Sequence, residues 1–197
     1  MLRGEVSERI VKSPLIDDLD EIPMPAWNLL PMEKYKLKLN NKPATSLITS
    51  RGCPFGCVYC GKQVYGRTWR GHSAQRVIDE MKFLKKKYGI ESFIIYDDTF
   101  TLKKSRIYEM QELMKKEKMD WVRFRCTTRA DQVDADLLKA LKEMGCIEVC
   151  FGVESGSDEI LKKSNKGMTL AQNKRAIRLT RKYGMISKAY FIIGLPF

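Results

Sequence analysis

The chain has 197 residues, of which 44% are apolar and 30% are charged, a composition typical of a globular protein with one main domain. No stretch approaches the ~18 apolar residues of a membrane span, and the first residues lack the apolar region of a secretory signal. This composition argues against a membrane protein, so we expect a cytoplasmic location and no membrane partner.

The chain is strongly basic, because 36 Lys and Arg outnumber 24 Asp and Glu and give a net charge of +12. Such a charge attracts nucleic acids and other anions. The lysines, however, cluster in or near predicted helices, where they are typical of solvated faces and helix C-termini. No aromatic residues alternate with them as in a base-stacking surface. We therefore favour a solvated surface, and a nucleic-acid partner stays open on charge alone.

Residues 1–43 differ in composition from the rest of the chain. They contain five of the seven prolines and an acidic run at residues 17–21. Proline fixes φ and removes a backbone donor, so this segment cannot form a long helix or a central strand. We expect an extended linker or a wrap over the main domain, anchored by Trp27, Leu29 and Leu30.

From residue 44 onwards, apolar runs alternate with segments in which apolar residues recur at helical spacing. The apolar runs predict strands over residues 44–50, 92–96, 121–127, 147–153 and 188–193. The helical spacing predicts helices over residues 73–88, 104–116, 134–144 and 169–183. Strands and helices that alternate with right-handed crossovers form a parallel α/β sheet, either a barrel or an open doubly wound sheet. The main domain is expected at residues 44–197.

Polar residues follow each predicted strand at its carboxyl end, where parallel sheets and barrels bind their ligands. In chain order, these residues are Cys53, Cys57 and Cys60, then Asp97 and Asp98, then Arg129, then Glu154 and Ser155, and finally Gly194. The opposite ends carry Gly89, Gly145 and Gly184, which are typical helix stops. This asymmetry is typical of an enzyme whose active site lies at one end of the sheet.

The three cysteines within residues 53–60 are the strongest chemical signal. No fourth Cys or His lies close by in the sequence, and a tetrahedral zinc site needs four ligands. A cubane iron–sulfur cluster has four irons, so three thiolates leave one iron open to another ligand. The remaining Cys126, Cys146 and Cys150 lie in predicted strands and are interpreted as buried thiols. If one of them supplied a fourth ligand, the chain would be a non-catalytic zinc or electron-transfer module, and this alternative stays open.

Residues 49–60, Thr-Ser-Arg-Gly-Cys-Pro-Phe-Gly-Cys-Val-Tyr-Cys, resemble the signature loop of the radical S-adenosylmethionine (SAM) superfamily. Further segments resemble the subgroup in which a cobalamin-binding domain precedes the radical SAM domain. They are residues 18–27, 96–101, 151–157 and 192–196. The resemblance implies a partial (β/α) TIM-like barrel with about five of the family's six β/α units after an N-terminal linker. We therefore expect a fragment of a larger protein, with any cobalamin domain outside this chain.

The resemblance also implies a chemistry. Cys53, Cys57 and Cys60 would hold a 4Fe-4S cluster, and its open iron would bind SAM. An electron from the cluster would cleave SAM to a 5'-deoxyadenosyl radical that abstracts hydrogen from a substrate. The expected outcome is cobalamin-dependent methylation, rearrangement or cyclisation of a small molecule, with a ferredoxin or flavodoxin as electron donor. The alternative within the same superfamily is a methylthiotransferase-like enzyme acting on tRNA, which the basic charge favours.

By the same resemblance, the residues near the strand ends would contact the parts of SAM. The expected contacts are Tyr59 and Gly194 for the adenine, Asp97 and Asp98 for the methionine ammonium, Arg129 for the carboxylate, and Glu154 and Ser155 for the ribose or the ammonium group. Glycine would let the backbone approach the adenine closely, and arginine can bind a carboxylate through two parallel hydrogen bonds.

Overall fold

The computed structural model describes residues 14–61 and 64–196. The first thirteen residues of the expected linker lie outside the described residues, as do Lys62, Gln63 and Phe197 of the expected main domain. The described part of the N-terminal segment contains three short 3-10 helices. They span Leu19–Glu21, Trp27–Leu29 and Met32–Lys34.

One apolar and one aromatic side chain are among the contacts that attach the N-terminal segment to the main domain. Leu19 is fully buried, and Trp27 Nε1 donates a hydrogen bond to Glu80 Oε1 at 3.0 Å. Leu29 and Leu30 are 77% and 43% exposed. Of the three anchors expected from the sequence, Trp27 is therefore confirmed, whereas the prediction for the two leucines is wrong.

The described residues form eight strands in two sheets. The strands are β1 (Lys38–Leu39), β2 (Lys42–Leu47), β3 (Ser50–Arg51), β4 (Arg70–Gly71), β5 (Ser92–Ile95), β6 (Arg123–Thr128), β7 (Cys146–Glu154) and β8 (Ile186–Phe191). The main sheet has the order β1-β2-β5-β6-β7-β8. In it, β1 pairs antiparallel with β2, and every other neighbouring pair is parallel. β3 and β4 form a small antiparallel ribbon.

Five α-helices connect the strands of the described chain. They are α1 (Ala74–Tyr88), α2 (Lys104–Lys116), α3 (Ala135–Glu143), α4 (Asp158–Lys163) and α5 (Leu170–Lys182). The side chains of Ser73, Asp134 and Thr169 accept hydrogen bonds at the starts of α1, α3 and α5. All five predicted strands and all four predicted helices are present. β1, the β3–β4 ribbon and α4 are short elements that hydrophobic periodicity did not predict.

The strand order decides between the two sheets that the sequence left open. β2, β5, β6, β7 and β8 lie side by side in chain order, whereas a doubly wound sheet reverses its order at a switch point. The helices consequently pack against one another in sequence: α1 contacts α2, α2 contacts α3, and α3 contacts α5. The sheet curls into a half-barrel, which confirms the expected partial TIM-like fold class.

The core lies between the helices and one face of this sheet. Phe124 and Cys126 of β6 and Phe151 of β7 belong to it and are almost completely buried. Because neighbouring side chains of a strand point to opposite faces, Thr127 and Gly152 lie on the concave face. Among the helices of the described residues, none is long and apolar enough to cross a membrane.

A candidate cofactor site at the carboxyl ends of the strands

The carboxyl ends of the parallel strands surround a pocket of about 210 Å³. Its lining comes from the loop after β3, from the carboxyl ends of β6 and β7, from β8, from residues just after β5 and β6, and from the turn between α4 and α5. The lining residues are Cys53, Cys57, Tyr59, Cys60, Asp98, Thr99, Thr127, Thr128, Arg129, Gly152, Glu154, Lys166 and Tyr190. The structure thus brings together seven of the ten residues that the sequence singled out, including all three cysteines of the signature loop.

The cysteine loop, residues 53–60, contains no helix or strand and is held in place by its neighbours. On one side, Cys53 Sγ lies 3.9 Å from the hydroxyl of Thr99, directly after β5. On the other side, Asn165 Nδ2 donates a hydrogen bond to the carbonyl of Gly56 at 3.0 Å. The turn between α4 and α5 and the end of β5 therefore position the loop from two directions.

Arg129 is buried at the end of β6, and its guanidinium group contacts the cysteine loop. Nε and Nη2 donate to the two carboxylate oxygens of Asp131 at 3.0 and 2.9 Å, and Nη2 also donates to the carbonyl of Lys166 at 2.7 Å. Nη1 lies 3.8 Å from Cys57 Sγ, and the guanidinium carbon lies 3.6 Å from the centre of the Phe55 ring. Four of the five N–H groups of this arginine thus have partners within the described protein.

Glu154 and Lys166 form an ion pair inside the pocket. Lys166 Nζ lies 2.9 Å from Glu154 Oε1, and the two side chains are only 7% and 11% exposed. The backbone of Glu154 has φ of 66°, an uncommon conformation for a residue other than glycine. A Cβ atom at Gly152 would collide with Glu154 Oε1 and lie 3.0 Å from Lys166 Nζ, so a side chain there would displace the pair from this arrangement.

Sequence reasoning did not identify Lys166 as a site residue. Lys166 lies in the turn between α4 and α5, whereas the residues that the sequence indicated lie at or after the ends of strands. The only sequence signal is its position after a short polar stretch, which many surface lysines share. Its place in the pocket depends on how this turn folds back over β7.

Tyr59 contributes a buried polar atom to the pocket. Its hydroxyl is inaccessible to solvent and has no hydrogen-bond partner of good geometry in the described structure. Burial raises the pKa of Tyr59 well above its ordinary value, and the nearby Cys57 and Glu154 raise it further. The neutral phenol can therefore donate or accept a hydrogen bond to a group bound in the pocket.

The two neighbouring aspartates that follow β5 lie in different environments. Asp97 is 3% exposed and accepts three hydrogen bonds of 2.6 Å, from the amide and hydroxyl of Thr49 and from the hydroxyl of Ser50. Burial raises the pKa of Asp97, although these bonds and the charge of Arg106 act in the opposite direction. Asp98 is exposed and lines the pocket. Asp97 thus connects the end of β5 to the segment that leads from β2 into β3, and Asp98 is the one of the two carboxylates that is available to a ligand.

Two expected site residues lie away from the pocket lining. The Ser155 hydroxyl accepts a hydrogen bond from the Ser157 amide at 3.1 Å, just before α4. Gly194 is exposed, and no described atom lies within 4 Å of the position that its Cβ would take. In the described chain, neither residue is brought to the cysteines.

The other three cysteines lie elsewhere in the fold. Cys126 and Cys146 are part of the core, where a hydrogen bond between them and burial raise the pKa of Cys126. Cys150 Sγ donates a hydrogen bond to Glu148 Oε1 at 3.4 Å. Within residues 14–61 and 64–196, no three His, Cys, Asp or Glu side chains converge on a single metal ion. A 4Fe-4S cluster does not require this, because its thiolates bind different irons.

The residues present fit such a cluster. Cys53, Cys57 and Cys60 are not in disulfides, and they surround a pocket rather than meeting at one point. The Arg129 cation lies beside the sulfur of Cys57, where a positive charge offsets part of the negative charge that a cluster places on its ligand sulfurs. The buried, unpartnered hydroxyl of Tyr59 and the exposed carboxylate of Asp98 leave polar groups for a further ligand.

A larger cavity, of about 710 Å³, lies near the opposite end of the sheet. It is bordered by Ala44 near the start of β2, by Ile90 just before β5, and by Tyr35 of the N-terminal segment. None of the residues that line it is a cysteine or a histidine. Its chemistry is therefore unlike that of the pocket at the carboxyl ends.

A half-barrel of β/α units with thiols and charged side chains gathered at the carboxyl ends of its strands defines a barrel enzyme. The chain belongs to the radical SAM superfamily, whose family model matches residues 47–197. This finding confirms the resemblance that the cysteine loop indicated. It also supports an enzyme over the alternative of a non-catalytic metal-binding module.

Similar proteins come from the cobalamin-associated part of the superfamily, as expected. An uncharacterized methyltransferase of Pyrococcus horikoshii is 42% identical over 93% of this chain and 39% of its own length. An anaerobic magnesium-protoporphyrin IX monomethyl ester cyclase of Rubrivivax gelatinosus is 35% identical over 92% of this chain and 33% of its own. The cobalamin-dependent radical enzyme OxsB, solved with aqua-cobalamin and SAM bound, superimposes with a TM-score of 0.68 and 28% identity. That match covers 76% of this chain and 24% of OxsB. The chain thus spans 24–39% of the length of these proteins.

Proposed function

We propose that this chain is the cluster- and SAM-binding core of a cobalamin-dependent radical SAM enzyme that methylates or cyclises a small molecule. The observation that carries the proposal is the gathering of Cys53, Cys57 and Cys60 around one pocket that also contains charged side chains. The names of the similar methyltransferase and cyclase, and the cobalamin and SAM bound to OxsB, support the class of reaction.

In this proposal, Cys53, Cys57 and Cys60 hold the 4Fe-4S cluster. The cluster and SAM, when bound, supply the one-electron chemistry that breaks a carbon–sulfur bond of SAM. The protein positions the three thiolates by anchoring their loop between Thr99 and Asn165. Since all three ligands belong to one short loop, these two anchors orient the whole ligand set.

Charged residues of the pocket bind different groups of SAM. Asp98 binds the methionine ammonium, because it is the exposed carboxylate at the pocket. Lys166 binds the methionine carboxylate, since an ammonium group has three donors and Glu154 accepts one of them. Arg129 was expected to take this role, but its donors are directed at protein atoms. Tyr59 lies beside the adenine and Glu154 accepts from the ribose.

The concave face of the sheet shields the reaction and leaves room for the substrate. A concave, mostly enclosed site excludes water and keeps a reactive intermediate from side reactions. We assign the substrate a position next to Tyr190, which borders the pocket. Tyr190 belongs to β8, the edge strand at the opposite side of the sheet from β2. A low-potential one-electron donor such as a ferredoxin or flavodoxin supplies the electron.

Anaerobic reconstitution with iron and sulfide tests the cluster. The full-length protein is expected to show the visible absorbance and, after dithionite reduction, the EPR signal of a 4Fe-4S cluster, and to form 5'-deoxyadenosine from SAM. Cys60→Ser is expected to abolish all three. Cys150→Ser is the matched control, because a serine there can keep the hydrogen bond to Glu148. A wild-type protein without a cluster, or a cluster that depends on Cys150 and not on Cys60, would contradict the proposal.

The reaction class is tested with SAM labelled in its methyl group, in the presence of cobalamin. Methylation predicts label in a small-molecule product, whereas cyclisation predicts 5'-deoxyadenosine without label in the product. A parallel incubation with tRNA covers the methylthiotransferase-like alternative. Label or sulfur that appears in tRNA alone would replace the small-molecule proposal.

A further inference from the structure

Arg129 contacts the cysteine loop through its charged group. Nη1 lies 3.8 Å from Cys57 Sγ, within hydrogen-bonding distance of a sulfur acceptor, and the guanidinium stacks on the Phe55 ring at 3.6 Å. Arg129 is only 6% exposed. Because little water surrounds the cation, its field at the sulfur is weakly screened.

Asp131 fixes the direction of this cation. Its two carboxylate oxygens accept from Nε and Nη2 of Arg129, and the carbonyl of Lys166 accepts from Nη2 as well. These bonds occupy one edge of the planar guanidinium and leave Nη1 turned towards Cys57. The ion pair therefore presents its positive end to the sulfur and keeps its negative end behind it.

We propose that Arg129 is a positioning residue that raises the reduction potential of the 4Fe-4S cluster through Cys57, and that Asp131 sets the strength of the effect. The inference rests on the proposed function, because it requires Cys57 to be a cluster ligand. Reduction adds one electron from an external donor to the oxidised cluster, and no bond forms or breaks. The added charge is shared with the thiolate sulfurs, so a fixed cation beside one of them stabilises the reduced state more than the oxidised state.

The two members of the ion pair should shift the potential in opposite directions. Arg129→Gln removes the cation and leaves the carboxylate, so the equilibrium constant for reduction is expected to fall at least tenfold, about 59 mV for a one-electron couple. Asp131→Asn leaves the cation without its counter-charge, so the constant is expected to rise several-fold. Arg129→Lys keeps the charge but loses the planar guanidinium group with its parallel N–H donors. Its equilibrium constant for reduction should therefore lie between those of the wild type and Arg129→Gln.

The measurement is an EPR-monitored dithionite titration of the full-length protein, reconstituted anaerobically without cobalamin. Lys104→Gln is the control, because it removes the same charge from an ion pair with Asp134 that is about 40% exposed at the surface. This control is expected to change the equilibrium constant less than twofold. A role limited to holding the loop would lower cluster content in Arg129→Gln and Asp131→Asn alike, without opposite shifts of potential.

The outcomes separate the inference from the function on which it rests. If the wild type assembles a cluster but Arg129→Gln and Asp131→Asn shift the constant in the same direction, or both match Lys104→Gln, the inference is wrong and the proposed function stands. If the wild type assembles no cluster, the proposed function itself fails and the inference falls with it. If only Arg129→Gln fails to assemble a cluster, the other two variants test the inference. It then requires a lower equilibrium constant for reduction in Arg129→Lys and a higher one in Asp131→Asn than in the wild type.

Discussion

The neighbouring residues Asp97 and Asp98 give a sharp test of which strand-end carboxylate serves the fold and which serves SAM. Asp97 is buried and bonded to Thr49 and Ser50, whereas Asp98 is exposed and lines the pocket. We expect Asp97→Ala to destabilise the protein with little effect on SAM binding by the folded fraction. We expect Asp98→Ala to weaken SAM binding with little effect on stability.

The expected size of the Asp97→Ala effect follows from the donors that it leaves behind. One backbone amide and two hydroxyls lose their acceptor, and an unsatisfied buried donor costs ~1–3 kcal/mol. The raised pKa of Asp97 indicates that burying its carboxylate is itself unfavourable. Asp97→Ala removes this unfavourable contribution to the free energy of folding, which offsets part of the loss. Hydroxyls can also rotate towards new partners. We therefore expect a loss of about 3 kcal/mol in the free energy of unfolding, at the low end of what three such donors allow.

Urea unfolding of both variants, together with equilibrium dialysis of SAM against the reconstituted proteins, measures the two effects separately. Asp98→Ala should raise the dissociation constant of SAM about tenfold, since the loss of one charge-assisted hydrogen bond of about 1.4 kcal/mol corresponds to that factor. The reasoning is refuted if Asp97→Ala unfolds like the wild type but binds SAM poorly. It is equally refuted if Asp98→Ala binds SAM as tightly as the wild type does.

Three further variants test the pocket and the N-terminal segment. Gly152→Ala forces a methyl group against Glu154 and Lys166, so urea unfolding should show a loss of about 2 kcal/mol, and Gly152→Ser should be no milder. Leu19→Ala should cost about 3 kcal/mol, because Leu19 is fully buried, and a melting point within 2 °C of the wild type would contradict this. Asp20→Asn should cost about 1 kcal/mol at pH 7, because the asparagine oxygen accepts the hydrogen bond of the Ser73 amide more weakly than a charged carboxylate does. Burial raises the pKa of Asp20, but its hydrogen bonds outweigh this and lower it, so its contribution is present above pH 3.8 and lost below. The unfolding curves of Asp20→Asn and the wild type should therefore converge as the pH falls below 3.8 and through the lowered pKa of Asp20.

The candidate site was largely predictable because parallel strands bring their carboxyl ends to one edge. Each of four lining residues lies at or just after the end of a different strand, so strand ends alone indicate all four: Cys57, Asp98, Arg129 and Glu154. The sequence alone could not tell whether Asp97 or Asp98 faces the pocket. Successive residues after a strand point to opposite sides, and the register of strand pairing decides which of them faces the pocket. Register depends on pairing with another strand, which no local pattern encodes.

The features of the site that the sequence did not indicate are contacts between distant segments. Lys166 reaches the pocket because the turn after α4 folds over β7, and its ion pair with Glu154 spans that turn. We propose a different role for Arg129 from the one expected, because its partners are Asp131, two residues away, and Cys57, which lies 72 residues earlier in the chain. Residue types and spacing indicated that an arginine belonged at this strand end, but not what it would bind.

The sequence by itself determined the elements, the three-cysteine loop and the end of the sheet at which the chemistry lies. These depend on interactions between near neighbours in the chain, namely apolar periodicity, helix caps such as Ser73 and Thr169, and cysteine spacing. Only the tertiary structure decided that the sheet is a half-barrel, that the Asp97 carboxylate bonds to Thr49, and that Arg129 faces Cys57. Strand order and side-chain direction depend on packing between segments far apart in sequence, so they are defined only once the chain has folded.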